Sequence, residues 1–162
     1  MIKKPSTGAS LIQAVCLMCL CSLSVPMSGA HSAAVSSTPA VNAKSEYFVD
    51  GKKALDEKRW SAAIESFNKE VASNPQSADA YNFLGYAYRW QNRMTESLAA
   101  YQKALEIDPK HLGANEYLGQ AYLRLDNKDQ ALVQLAKLKE ICGACKESDD
   151  LASAIQATIT PK

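Results

Sequence analysis

Ala78-Asp-Ala-Tyr-Asn-Phe-Leu-Gly-Tyr-Ala-Tyr88, followed after a short interval by Tyr101-Gln-Lys-Ala-Leu-Glu-Ile-Asp-Pro109, decides how this chain folds. In both stretches apolar residues recur three and four apart, the period of an amphipathic helix. Asp108-Pro109 closes the second stretch, because the residue before proline avoids the helical region and proline readily starts the next element. Gly85 sits in the middle of the first helix, where it costs about 1 kcal/mol relative to alanine. That cost is tolerable where a neighbouring helix needs the space.

The same residues return when the chain is shifted by 34 positions. Gly51, Gly85 and Gly119 align, as do Ala63, Ser97 and Ala131, then Phe67, Tyr101 and Leu135, while Pro75 corresponds to Pro109. Leu84-Gly85 matches Leu118-Gly119, and Ala87-Tyr88 matches Ala121-Tyr122. The spacing predicts three helix pairs. In each, a glycine of the first helix meets a small residue of the second. The large residue one turn further on fills the gap toward the next unit. Asn74-Pro75 ends a second helix as Asp108-Pro109 does, and no Val/Ile-rich alternating run suggests a strand.

From Lys44 to Cys142 the chain resembles the tetratricopeptide repeat family, most closely in its middle unit. The flanking units depart from the pattern. Asp50 stands where leucine is usual and Glu70 where alanine is usual, Asn115 replaces an aromatic, and Gly143 takes the proline slot. The resemblance implies an all-α, right-handed superhelical solenoid with repeats at 44–77, 78–111 and 112–143 and a concave face built from the first helix of each pair. It also implies that this face binds an extended or helical segment of a protein or peptide partner. The positions it carries to that groove are Phe48, Lys52 and Leu55 in the first unit, Asn82, Phe83, Tyr86, Arg89 and Trp90 in the second, and Glu116, Tyr117, Gln120 and Arg124 in the third. Phe83, Tyr86 and Trp90 share one face beside Arg89 and Arg124, the composition of a binding hot spot. The competing reading is that these aromatics only pack against neighbouring helices. Chaperone-binding members grip a partner's terminal carboxylate with a lysine, asparagine and arginine clamp. Phe48, Phe83 and Tyr117 occupy three of those slots here, which argues against that activity.

Beyond the repeats, Ser148-Asp149-Asp150 precedes Leu151, Ile155 and Ile159, four apart on one stripe. Residues 144–162 therefore read as a capping helix and tail, with Ser148 at the helix start and acidic residues near its positive end. Cys142-Gly-Ala-Cys145 lies just before it. A thioredoxin-like redox centre needs the pair after a strand, zinc needs two further ligands, and covalent haem needs a histidine where Lys146 stands. A structural disulfide is favoured, worth on the order of 1–2 kcal/mol at most for so short a loop, with thiol–disulfide exchange as the alternative. Small exported bacterial members of the family carry a similar cysteine pair, a resemblance that points to the periplasm.

At the other end, Lys3 and Lys4 precede an apolar run from Leu11 to Val25, with Ser28-Gly29-Ala30 beyond it. Residues 1–30 read as a secretory signal peptide, the run being shorter than the roughly twenty residues of a membrane span. Cys16, Cys19 and Cys21 follow Val15, Met18 and Leu20 rather than the small residue a lipoprotein signal requires. Residues 31–43 are mostly Ser, Ala, Thr and Val with one Pro39, show no periodicity and have nothing large to bury, and read as a flexible linker. Cleavage leaves 16 basic against 17 acidic residues and an even pair of cysteines. A net charge of −1 exerts no general pull on nucleic acid or anionic lipid. With two histidines, His31 and His111, and no nucleophile placed beside either, no catalytic, metal or cofactor site is expected, and self-association is a further possibility.

Overall fold

Residues 44–158 are described by a computed structural model; the leader and the linker read from residues 1–43 lie outside them, as do residues 159–162. Among the described residues seven helices follow one another: α1 Glu46–Asp56, α2 Trp60–Ser73, α3 Ala78–Trp90, α4 Met94–Ile107, α5 Leu112–Arg124, α6 Lys128–Cys142 and α7 Lys146–Ala157. No strand occurs among the described residues.

Local chemistry sets the helix ends. Ser45 and Ser77 accept the amides of Phe48 and Ala80 at the starts of α1 and α3, and Asn127 accepts that of Gln130 at the start of α6. Side-chain acceptors of this kind satisfy donors that the first turn leaves without partners. At the start of α5 the acceptor is His111 Nδ1, 3.1 Å from the amide of Ala114. Helices α2 and α4 stop at Asn74 and Asp108, each just before a proline. Within each pair the turn is made by one residue in the left-handed region: Lys58, Asn92 and Asp126, themselves 34 apart. Gly143, with φ +68°, ends α6 in the slot that proline fills in the earlier units, a conformation L side chains rarely adopt.

Each helix packs on its chain neighbour. In addition α1 touches α3, α3 touches α5 and α5 touches α7, whereas α2, α4 and α6 do not touch one another. This is the contact pattern of a solenoid, with α1, α3 and α5 side by side along one face. Helix α7 occupies the place where the first helix of a fourth pair would stand.

The repeated glycines admit large side chains rather than the facing helix alone. A Cβ on Gly51 would lie 2.8 Å from the Phe67 ring, and one on Gly85 would lie 2.7 Å from Tyr101. At Gly119 the occupant is Leu151 of α7, not Leu135 of the same unit, so here the following first helix takes the place that the pair's own second helix fills at Gly51 and Gly85. The small residue opposite also contributes: Ser97 Oγ donates to the Gly85 carbonyl at 2.8 Å, joining α4 to α3.

The departures from the family pattern have local explanations. Glu70 is buried at the end of α2 and accepts the Ser45 hydroxyl, which ties the start of α1 to its partner helix. Asn115 Nδ2 donates to the carbonyls of His111 and Pro109 at 3.0 and 3.3 Å, fixing the turn between α4 and α5. Asp50 is exposed at the solvent-facing side of the first pair. Ser148 stands at the third position of α7 rather than at its cap: the helix starts at Lys146 after Cys145, and the Ser148 hydroxyl accepts the Cys145 amide at 3.1 Å.

Candidate partner-binding face

Helices α1, α3 and α5 bring the predicted groove residues onto one side of the solenoid. At the first pair, Phe48 meets Phe67 and Phe83 edge-on, with ring centres 5.8 and 5.7 Å apart. Lys44 and Lys52 hold their ammonium groups 4.0 and 4.2 Å from the Phe48 and Phe83 ring centres, an attraction of cation for ring face. Between α1 and α3 these residues, with Val49 and Asp79, line a cleft of about 500 Å³. Asp79 faces Lys44 Nζ at 3.4 Å and His111 Nε2 at 3.1 Å. Because His111 Nδ1 accepts an amide, its proton sits on Nε2, toward Asp79.

Toward the far ends of α3 and α5 the face becomes a cluster of four aromatics and two guanidiniums. Tyr86 lies 5.2 Å from Tyr117, and Trp90 is stacked on Trp60 at 5.5 Å with the planes within 8°. Arg89 lies 5.3 and 5.4 Å from the Tyr86 and Tyr117 ring centres. Arg124 lies 5.2 Å from Trp90 and donates to the Arg89 carbonyl. A short polar chain runs beneath: Arg89 Nη1 donates to Gln120 Oε1, and Gln120 Nε2 donates to Glu116 Oε1, both at 2.6 Å. Burial, reinforced by Asp150 and Glu147 and opposed by Lys146 and Arg89, pushes the Glu116 carboxyl up to about 7.

The predicted residues differ in access. Trp90 is 46% exposed and Arg124 is exposed, while Lys52, Phe83, Tyr86, Tyr117 and Gln120 are half-buried. Phe48, Leu55, Asn82, Arg89 and Glu116 are buried and form the floor of the face. Asn82 has its Oδ1 without a hydrogen-bond partner. Trp60, at the start of α2, belongs to the cluster without having been singled out by the repeat alignment, which placed groove positions on first helices only.

Cys142 and Cys145 come together between α6 and α7, with Cα atoms 5.8 Å apart, within the range a disulfide spans. They follow a helix rather than a strand. No group of three or more His, Cys, Asp or Glu side chains able to hold a metal ion occurs among the described residues.

Paired helices with glycine-seated aromatics, stacked so that first helices share a face, define a tetratricopeptide solenoid. Two family models, both described as tetratricopeptide repeat, match residues 51–111 and 100–133 and together span just over half of the chain. The protein belongs to the tetratricopeptide repeat family. Among solved structures it is similar to the Arabidopsis OM64 TPR domain, at 18% identity and a TM-score of 0.64, covering 69% of this chain and 93% of that one. It is also similar to the TPR2B domain of yeast Sti1 in complex with pHsp70, at 22% identity and a TM-score of 0.63, covering 70% of this chain and 95% of that one. A third is MamA from Desulfovibrio magneticus RS-1, at 28% identity and a TM-score of 0.57, covering 59% of this chain. The chain spans about half the length of that MamA structure, 54%. The comparison with curated proteins found no match.

Proposed function

We propose that this is an exported, non-enzymatic scaffold or adaptor, working in the bacterial periplasm, that holds a segment of a partner protein along the face of α1, α3 and α5. The observation that carries the reading is the unbroken run of aromatic and cationic side chains across all three helices, from Lys44 and Phe48 through Phe83 and Tyr86 to Trp90 and Arg124. Aromatics and arginine dominate the energetic centres of protein interfaces. The TPR2B domain of yeast Sti1 forms a complex with pHsp70, which supports a partner-binding role for the fold.

Trp90→Ala is expected to weaken capture of the native partner from periplasmic extract by tenfold or more while far-UV circular dichroism stays unchanged, since the ring is half in solvent. Phe83→Ala should weaken capture as well, with some loss of stability, because its ring packs 5.6 Å from Phe67 in the core. Capture that survives both substitutions would place the partner elsewhere.

In this reading the cysteine pair is a structural disulfide that fixes the entry to α7. The Cys142→Ser/Cys145→Ser double variant is then expected to lose on the order of 1–2 kcal/mol in urea unfolding and to keep its partner. A pair that equilibrates readily with glutathione, rather than resisting it, would favour thiol–disulfide exchange instead.

A further inference from the structure

Four cations on this face lie over aromatic rings, and three of the four have no carboxylate partner. The ion pairs among the described residues engage Lys44, Arg59, Lys69, Arg93, Lys103 and Lys146, and leave out Lys52, Arg89 and Arg124. Arg89 is the extreme case. It is 5% exposed, its Nη1 donates to a neutral amide, and its buried Nε has no hydrogen-bond partner among the described residues. A guanidinium withdrawn from water without a counter-ion is a poised anion site.

Of the acidic residues nearby, Asp150 is paired with Lys146, and Glu147, half-buried on α7, acts on Glu116 at the α5 end of the face. Asp79 is occupied by Lys44 and His111. Glu116 is buried and held toward its protonated form. Residues 44–158 carry 15 basic against 17 acidic side chains, so the positive stripe is a local concentration on a domain of opposite net sign.

We infer that this face selects a segment in which acidic side chains alternate with aromatic or aliphatic ones. Its carboxylates meet Lys52 and Arg124, which solvent reaches, above the positive field of Arg89, and its apolar side chains settle on Phe83 and Trp90. The inference rests on the partner-binding reading above and adds the chemistry of the partner. Cations on three successive first helices suit several internal Asp or Glu residues better than one chain terminus. A desolvated surround strengthens each charged contact, and arginine adds a planar fork for carboxylate oxygens.

The test is a random dodecapeptide library, displayed on phage so that every peptide's C-terminus is blocked, selected against the purified protein. Enriched peptides should combine Asp or Glu with aromatic or aliphatic residues. Resynthesised as C-terminal amides and followed by fluorescence anisotropy, they should bind Lys52→Gln/Arg124→Gln at least about tenfold more weakly and lose affinity as salt is raised. Both positions reach solvent, so the double variant should retain its fold. Enriched peptides without acidic residues, or equal affinity for that variant, would overturn the charge preference; if they still fail on Trp90→Ala, the groove reading stands without it. Peptides indifferent to all three changes, or no enrichment over a Trp90→Ala counter-selection, would overturn both.

Discussion

Gly85→Val should destabilise the protein by about 3 kcal/mol or more, a large share of the roughly 5–15 kcal/mol that holds a domain of this size together. A Cβ at residue 85 would stand 2.7 Å from Cδ1 and Cε1 of Tyr101, a ring with no exposed surface. The ring has little room to retreat, since Tyr117 lies 6.2 Å from it on the next first helix. The backbone is held too, by the bond from Ser97 to the Gly85 carbonyl. Valine adds two methyl groups to a contact that one Cβ already violates, and the roughly 1 kcal/mol that a helix gains on losing glycine is too small to offset it. Gly113→Ala is the control. The nearest atom to its Cβ is Asn82 Nδ2 at 3.2 Å, the end of a side chain that can yield, so the change should be nearly neutral. Urea unfolding followed by circular dichroism checks both, and a Gly85→Val midpoint close to wild type would mean that α3 and α4 are not locked as described.

That contrast shows what the sequence could and could not disclose. Glycine, small residue, large residue and proline recur every 34 positions because each satisfies a demand of one helix crossing another, so the three pairs and their order were legible before any coordinates. The occupant at Gly119 was not. Leu151 stands 34 residues after Tyr117, in register with the repeat, but at Gly51 and Gly85 the nearest atoms belong to the second helix of the same unit, so only the three-dimensional position of α7 reveals the exchange. The third member of the repeat, Leu135, packs instead in the cluster of Leu138, Leu151 and Ile155. The left-handed turn residues carried a faint signal, because Asn92 and Asp126 tolerate that conformation, but Lys58 at the equivalent position does not advertise it. The repeat alignment also placed Arg89 and Glu116 on the face without indicating that they are buried. Their burial follows from Tyr86, Tyr117 and α7 crowding around them, a property of the stack rather than of any one repeat.

The stability of the protein should fall as pH rises from about 4.5 to about 7, and Glu116→Gln should abolish most of that fall. In the unfolded chain this carboxyl has its ordinary value of 4.5, whereas in the fold burial, Asp150 and Glu147 lift it to about 7. Below 4.5 both states hold the proton and the stabilisation is fully present. Between the two values the unfolded chain releases its proton while the folded one must keep it, so stability is lost until the folded value is passed. The full difference corresponds to on the order of 3 kcal/mol. Glu65 and Glu96 act in the opposite sense, being lowered by Lys69 and Arg93, but their stabilisation is lost as pH falls and leaves this window largely to Glu116. Glutamine can still accept from Gln120 Nε2 and carries no charge toward Asp150, so the variant should match wild type at pH 4.5 and exceed it at pH 8. Equal unfolding midpoints for the two proteins at pH 8 would show that Glu116 ionises in the fold without penalty. In that case Arg89 has its counter-ion at neutral pH, and the case for an acidic partner weakens with it.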